Sequence, residues 1–253
     1  MHVNPEWLRY PLGVILAVNY IYFLILLVAK ADKWKWVRLL TSHLASSLSL
    51  AAMLVMTVVF GLTSWCGPST WPFCIVLFCF MTVLGLRAIT ELRHWRKHSP
   101  AAVIIHSAIF IILTAAFFGS GDKVRIRVMA QEGEPTHMGI SLQTGQKAAV
   151  PFVITLEDFV MESHPDGTPK TFTSHVSIGE RKFDIMVNMP ARIGAWRIYQ
   201  VGYDKTKGPE SRYSVLECVK DGWYPIVQTG LWIILAAGMF MILTAGRKKE
   251  DRA

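Results

Sequence analysis

Charge is scarce in this sequence: 17% of its 253 residues are Asp, Glu, Lys or Arg, whereas 52% are hydrophobic. A soluble domain usually carries about a quarter charged residues, so something other than a globular core must absorb the apolar surface. Cysteine is also sparse, at four residues. No Cys-x-x-Cys-His run occurs, which excludes covalent attachment of haem to the chain itself, and no Cys-x-x-Cys, which excludes a thiol oxidoreductase. Gly-rich phosphate loops, His-Glu-x-x-His and the nucleophile elbow are absent as well. No catalytic residue is assigned.

Long apolar runs are present instead. Crossing about 30 Å of hydrocarbon at about 1.5 Å per residue takes roughly 20 residues. Five windows meet that length: Pro11–Ala29, Leu44–Leu62, Trp71–Ile89, Ala101–Gly119 and Trp223–Thr244. The first four contain no Asp or Glu, and Arg87 falls near the end of the third, where its long stem can snorkel. Trp7 and Tyr10, Trp65 and Trp71, and Trp223 and Tyr224 stand at window ends as interfacial anchors. The first window lacks a preceding basic segment and a small-residue cleavage site, so it reads as a retained helix and not a signal peptide.

Basic residues set the expected orientation. Lys30, Lys33, Lys35 and Arg38 follow the first window, Arg93, Arg96 and Lys97 the third, and Arg247, Lys248, Lys249 and Arg252 the fifth. These segments are expected in the cytoplasm, with the uncharged 64–70 loop outside. The fold class is therefore a membrane α-helical protein of five transmembrane helices, N-out and C-in, in the cytoplasmic membrane. Residues 1–120 form its four-helix region, 121–222 an extracytoplasmic domain, and 223–253 the last helix and basic tail. Residues 121–222 hold 13 Lys/Arg and 13 Asp/Glu, so the whole formal charge of +8 lies in the remainder. That distribution reports topology in a lipid bilayer, and it argues against nucleic-acid binding.

The domain between the fourth and fifth windows reads as small and all-β. Val124, Ile126 and Val128 alternate with Lys123, Arg125 and Arg127, and Phe152, Ile154 and Leu156 repeat the period of two. Phe172–Ile178 and Arg181–Val187 flank Gly179-Glu180, a Gly-X pair suited to a type II′ hairpin turn. Trp196–Tyr203 and Arg212–Val219 add two strands, while 165–167 and 205–209 are loops. Five or six short strands imply a sandwich or a curled sheet.

Among the cysteines, Cys74 and Cys79 fit helix packing, and Cys66 and Cys218 can form a disulfide only if the domain folds back on the 64–70 loop. His106 stands about five residues into the fourth window, roughly 8 Å from its end. At that depth an imidazole should face the bundle and find a partner. His43 stands at the start of the second window, in a similar layer. Neutral imidazole nitrogens there can ligate haem iron, but a hydrogen-bonded bundle histidine and a solvated capping histidine are the plainer readings. His94 and His98 belong to a basic headgroup-facing run, and His137, His164 and His175 lack metal-ligand spacing.

Two motifs carry a family resemblance. Val187-Asn188-Met189-Pro190, Gly194, Ile198-Tyr199-Gln200 and Tyr203 resemble the ResB pattern Val-Asn-x-Pro, Gly, Tyr-Gln-x-x-Tyr. Leu156-Glu157-Asp158-Phe159, with Glu162, Gly167, Pro169-Lys170, Phe172 and Ser174, resembles that family's Asp-Phe stretch and its Gly-x-Pro-Lys and Ser signature. The resemblance spans about Leu44 to Thr244. Three features depart from it: the outer domain is shorter, a first helix is added, and Asp-Pro-Gly before the last helix appears as Asp221-Gly222-Trp223.

The resemblance implies a subunit of the system II machinery that carries haem across the membrane for attachment to apocytochrome c. It implies a ResC/CcsA-type membrane partner bearing the Trp-rich haem motif that this chain lacks, so that the chain alone does not attach haem. His106, in Ile105-His106-Ser107, matches the family's membrane histidine. The expected site is a haem b bound at His106 and His43, with His106 on the iron and the site shared with the partner. The alternatives are a b-type haem or quinol-linked membrane anchor subunit, and a structural assembly factor that binds no haem.

Overall fold

The computed structural model describes residues 5–31, 33–63, 69–166 and 168–250. Trp65, Cys66, most of the 64–70 loop, Gly167 and Arg252 lie outside the described residues, as do the side chains of Arg247, Lys248 and Lys249. The chain forms two compact units, Met1–Asp122 with Trp223–Ala253, and Lys123–Gly222.

The first unit is helical: α1 (Leu12–Ala29), α2 (Lys35–Leu40), α3 (His43–Leu62), α4 (Trp71–Arg93), α5 (Pro100–Phe118) and α6 (Tyr224–Glu250). Among the described residues, α1, α3, α4, α5 and the Tyr224–Thr244 part of α6 are long and apolar enough to cross a membrane. The protein is a membrane protein. Local chemistry starts the helices where the apolar windows begin. Ser42 caps α3 by accepting the Ala45 N–H at 3.2 Å, and Pro72 and Pro100 occupy first-turn positions of α4 and α5, where a missing N–H costs nothing.

Packing within this unit is uneven. Leu24 and Leu27 of α1, Met81 and Leu86 of α4, and Phe110 and Phe118 of α5 share one buried cluster. Tyr20 of α1 joins it with a hydroxyl 2.9 Å from that of Thr82. Gly85 admits this approach, since a Cβ there would collide with Phe110 and Leu24. Helix α3 differs: it has no buried residue, and its main neighbour is α4.

The third apolar window is expected to end at Ile89, and α4 continues to Arg93. Thr90 donates to the Leu86 carbonyl and Glu91 pairs with Arg87 four residues back, so the polar turn satisfies itself inside the helix. Glu91 holds the Arg87 side chain along the helix toward its C-terminal end, 16% exposed.

The second unit is one antiparallel sheet of eight strands in the order β5-β4-β3-β2-β1-β8-β7-β6. They are β1 (Val124–Gln131), β2 (Pro135–Ser141), β3 (Lys147–Ser163), β4 (Pro169–Ile178), β5 (Arg181–Met186), β6 (Ala191–Ile193), β7 (Trp196–Tyr203) and β8 (Tyr213–Lys220). The expectation of five or six strands missed β2 and β6. In β2 the half-buried residues are Thr136, Gly139 and Ser141, so its inner face has little apolar signal, and a register shift between Thr136 and Met138 breaks the alternation; β6 is three residues long.

The sheet curls until its two ends share a core. Ile185 of β5, Ile198 of β7, Ile154 of β3 and Leu216 of β8 all belong to one buried cluster. Gln200 closes the roll, its amide turned so that the side-chain nitrogen donates to the carbonyls of Ile185 and Phe172 at 3.1 Å, the orientation in which oxygen does not face oxygen. The β4–β5 hairpin follows its sequence signal: Ile178 pairs with Arg181 across Gly179-Glu180, and Gly179 has φ +61°. Asn188, at φ 68°, turns the chain between β5 and β6 within a pair of hydrogen bonds linking Met186 and Met189. A short polar side chain tolerates that left-handed conformation.

Candidate functional site

Three helices of the membrane unit enclose a cavity of about 300 Å³. Helix α3 contributes His43, Ser46 and Leu50, α4 contributes Phe80, Leu84 and Arg87, and α5 contributes His106 and Ile109. The walls are mostly apolar, with polar atoms gathered at the end where α3 and α5 begin and α4 finishes. The serines of α3 are satisfied locally, as Ser46 and Ser49 donate to the carbonyls of Ser42 and Ser46.

At the polar end, four side chains form one hydrogen-bonded chain. His106 Nδ1 lies 2.7 Å from Glu91 Oε2. Glu91 Oε1 accepts from Arg87 Nε at 2.8 Å, and a terminal nitrogen of Arg87 lies 3.2 Å from His43 Nδ1. Glu91 is the most enclosed member, its side chain 5% exposed against 32% for that of His106. An acidic side chain at such a place is costly unless paired. Here both oxygens have partners, and the guanidinium offsets the charge.

His106 therefore has the partner that its depth demanded. His43, expected only in a similar layer, lines the same cavity. Glu91 was missed because the apolar window stopped two residues short of it. The Arg87-x-x-x-Glu91 spacing carried the signal, since residues four apart on a helix are neighbours. Among the described residues no other histidine lines this cavity: His175 Nδ1 lies 2.7 Å from Asp184 on the sheet, and His94 and His98 are exposed. Cys218 is fully buried in the sheet core, where burial, with Glu217 adding to it, pushes its thiol up to about 12.

The family motifs occupy structural places in the sheet. Tyr203 meets Phe159 and Phe172, with ring centroids 5.3 and 4.7 Å apart. Ser174 shares a 2.7 Å buried hydrogen bond with Ser214. Gln200 and Asn188 serve the closure and the turn already described. The two motifs thus meet in space, although residues 175–186 separate them in the chain.

The sequence matches the ResB-like family over residues 76–245, about two thirds of its length. The chain belongs to the ResB-like family. That membership points to cytochrome c biogenesis. Among solved structures, a chain titled "Cytochrome c Heme Lyase CcmF" aligns at 12% identity and a TM-score of 0.38, covering 76% of this ResB-like chain and 33% of the other. The ResB-like chain thus spans about a third of that protein's length. No curated protein sequence matches it.

The donor set of the cavity suits haem. It offers an imidazole whose Nδ1 is already engaged by a carboxylate, flat apolar walls at Phe80, Leu84 and Ile109, and a guanidinium near the polar end. A volume of about 300 Å³ is at the small end for ligand pockets. It suits one face of a porphyrin better than a whole one.

Proposed function

We propose that this ResB-like chain is a haem-handling membrane subunit of a system II cytochrome c maturation complex. It holds haem as cargo, with His106 on the iron, for delivery to apocytochrome c together with a ResC/CcsA-type partner. The observation that carries this reading is His106 itself. It lines a membrane cavity and its Nδ1 is held by Glu91, which does not line that cavity, so Nε2 is the ring nitrogen left to meet a ligand. An imidazole held in this way is the usual form of a histidine metal ligand.

The shallow cavity and the unburied α3 support a site completed by a second protein. The Lys/Arg distribution supports an N-out, C-in arrangement in the cytoplasmic membrane with the sheet outside. In that frame the His106 site faces the cytoplasmic leaflet, on the side where haem is made available, and the sheet lies where the apocytochrome would be met. Haem supplies the iron and vinyl groups for attachment. This chain's residues bind it, orient it and keep water from one face.

One observation favours a second reading, a b-type haem held between two histidines: His43 and His106 line the same cavity from facing helices. Absorption spectra of the purified complex separate the readings. Under the first, His106→Ala removes the histidine-ligated haem band and His43→Ala leaves it; under the second, both remove it. Haem content unchanged by His106→Ala excludes both.

A further inference from the structure

Building on that reading of His106, we infer that Glu91 and Arg87 hold the two cavity histidines in opposite tautomers, with Glu91 the positioning residue of the iron ligand and His43 a hydrogen-bond donor. A carboxylate only accepts and a guanidinium only donates. Glu91 Oε2 at 2.7 Å therefore accepts a hydrogen bond from His106 Nδ1–H, and in the neutral ring this leaves Nε2 with its lone pair. Arg87 at 3.2 Å donates to His43 Nδ1, which makes that nitrogen the acceptor and puts the His43 proton on Nε2. One imidazole is a ligand and the other is not, although both line one cavity.

Three consequences follow. Glu91 orients the His106 ring and raises its donor strength, as outer carboxylates do for metal-bound histidines. Arg87 fixes Glu91 through the bond to its second oxygen at 2.8 Å, so the carboxylate cannot turn away from the ring. His43 Nε2–H offers a proton to an anionic group, which in an amphiphilic porphyrin is a propionate, and Arg87 stands beside it with matching charge. In a bound porphyrin, His106 of α5 would hold the iron, and His43 at the start of α3, with Arg87, would hold a propionate.

The test uses the full chain in detergent, first without haem. In 15N spectra of the histidine side chains, His106 is expected as the Nδ1–H tautomer and His43 as the Nε2–H tautomer. The reverse for either residue overturns the inference, and this readout needs no variant that must fold. Haem titration follows. Glu91→Gln keeps shape and removes charge, so haem affinity is expected to drop about 10- to 100-fold, and the iron potential to rise because the ligand donates less. His43→Ala is expected to weaken binding while keeping the ligated spectrum. Should Glu91→Gln bind haem within twofold at an unchanged potential while His106→Ala loses it, the role given to Glu91 is wrong and the reading of His106 stands. Should His106→Ala bind as the wild type does, that reading fails and the inference with it.

Discussion

The ring of Phe159 lies over that of Tyr203 with centroids 5.3 Å apart and planes 21° from parallel. Phe172 also meets Tyr203, with ring centroids 4.7 Å apart and planes tilted by 31°. This contact ties β3 and β4 to β7, and so holds the roll of the sheet shut beside the Gln200 hydrogen bonds. Tyr203→Leu keeps most of the apolar volume and loses the ring contacts, at a cost of about 1 kcal/mol. Tyr203→Ala leaves a void as well and should cost about 3 kcal/mol. Thermal unfolding of the two variants checks the order; equal midpoints would show that the cluster does not hold the roll.

Cys218 gives a pH-dependent outcome. Burial pushes its thiol from an ordinary value of 9.0 to about 12. The folded state therefore keeps its proton more tightly than the unfolded one. That contribution to stability is complete below the unfolded value and is lost as pH rises from about 9 toward 12. At pH 8, alkylation followed by peptide mapping should leave Cys218 unmodified in the folded protein and modify it in denaturant. Rapid modification of the folded protein at pH 8 would contradict its buried place.

The Arg87–Glu91 pair should show strong coupling. Arg87→Leu leaves an enclosed carboxylate with a single partner, and Glu91→Leu leaves a guanidinium 16% exposed with no counter-charge from its helix. Each single change is expected to lower stability by about 3 kcal/mol, and the double variant by clearly less than the sum, because it leaves no unpaired charge. Melting curves in detergent measure the cycle. Additive losses would mean the pair is not an enclosed unit.

Gly13 tests how α1 is seated. A Cβ at this position would run into the carbonyl oxygens of Leu8 and Phe118, which are backbone atoms and cannot swing aside. Gly13→Ala should cost about 1–3 kcal/mol. Gly61→Ala in α3, where nothing lies within 4 Å, should be neutral or stabilise by up to about 1 kcal/mol through helix propensity. The same thermal melts compare them.

Apolar windows of about 20 residues, with charge kept out of them, set the membrane character and the five long helices, because unpaired polar groups are excluded from hydrocarbon locally, residue by residue. Strict alternation marks β1 and the middle of β3 for a similar reason, since each strand's inner face writes itself into its own sequence, and the Gly179-Glu180 pair marks the β4–β5 hairpin. Strand β2 left little trace because its inner positions carry little apolar surface, and β6 because it is short. That Glu91 completes His106, that Arg87 spans both Glu91 and His43, and that His43 shares the His106 cavity came from tertiary structure alone. A hydrogen bond between α4 and α5 depends on the angle at which two helices meet, and no spacing along one helix records it. The depth of His106 could demand a partner, but only the packing of three helices could choose which one.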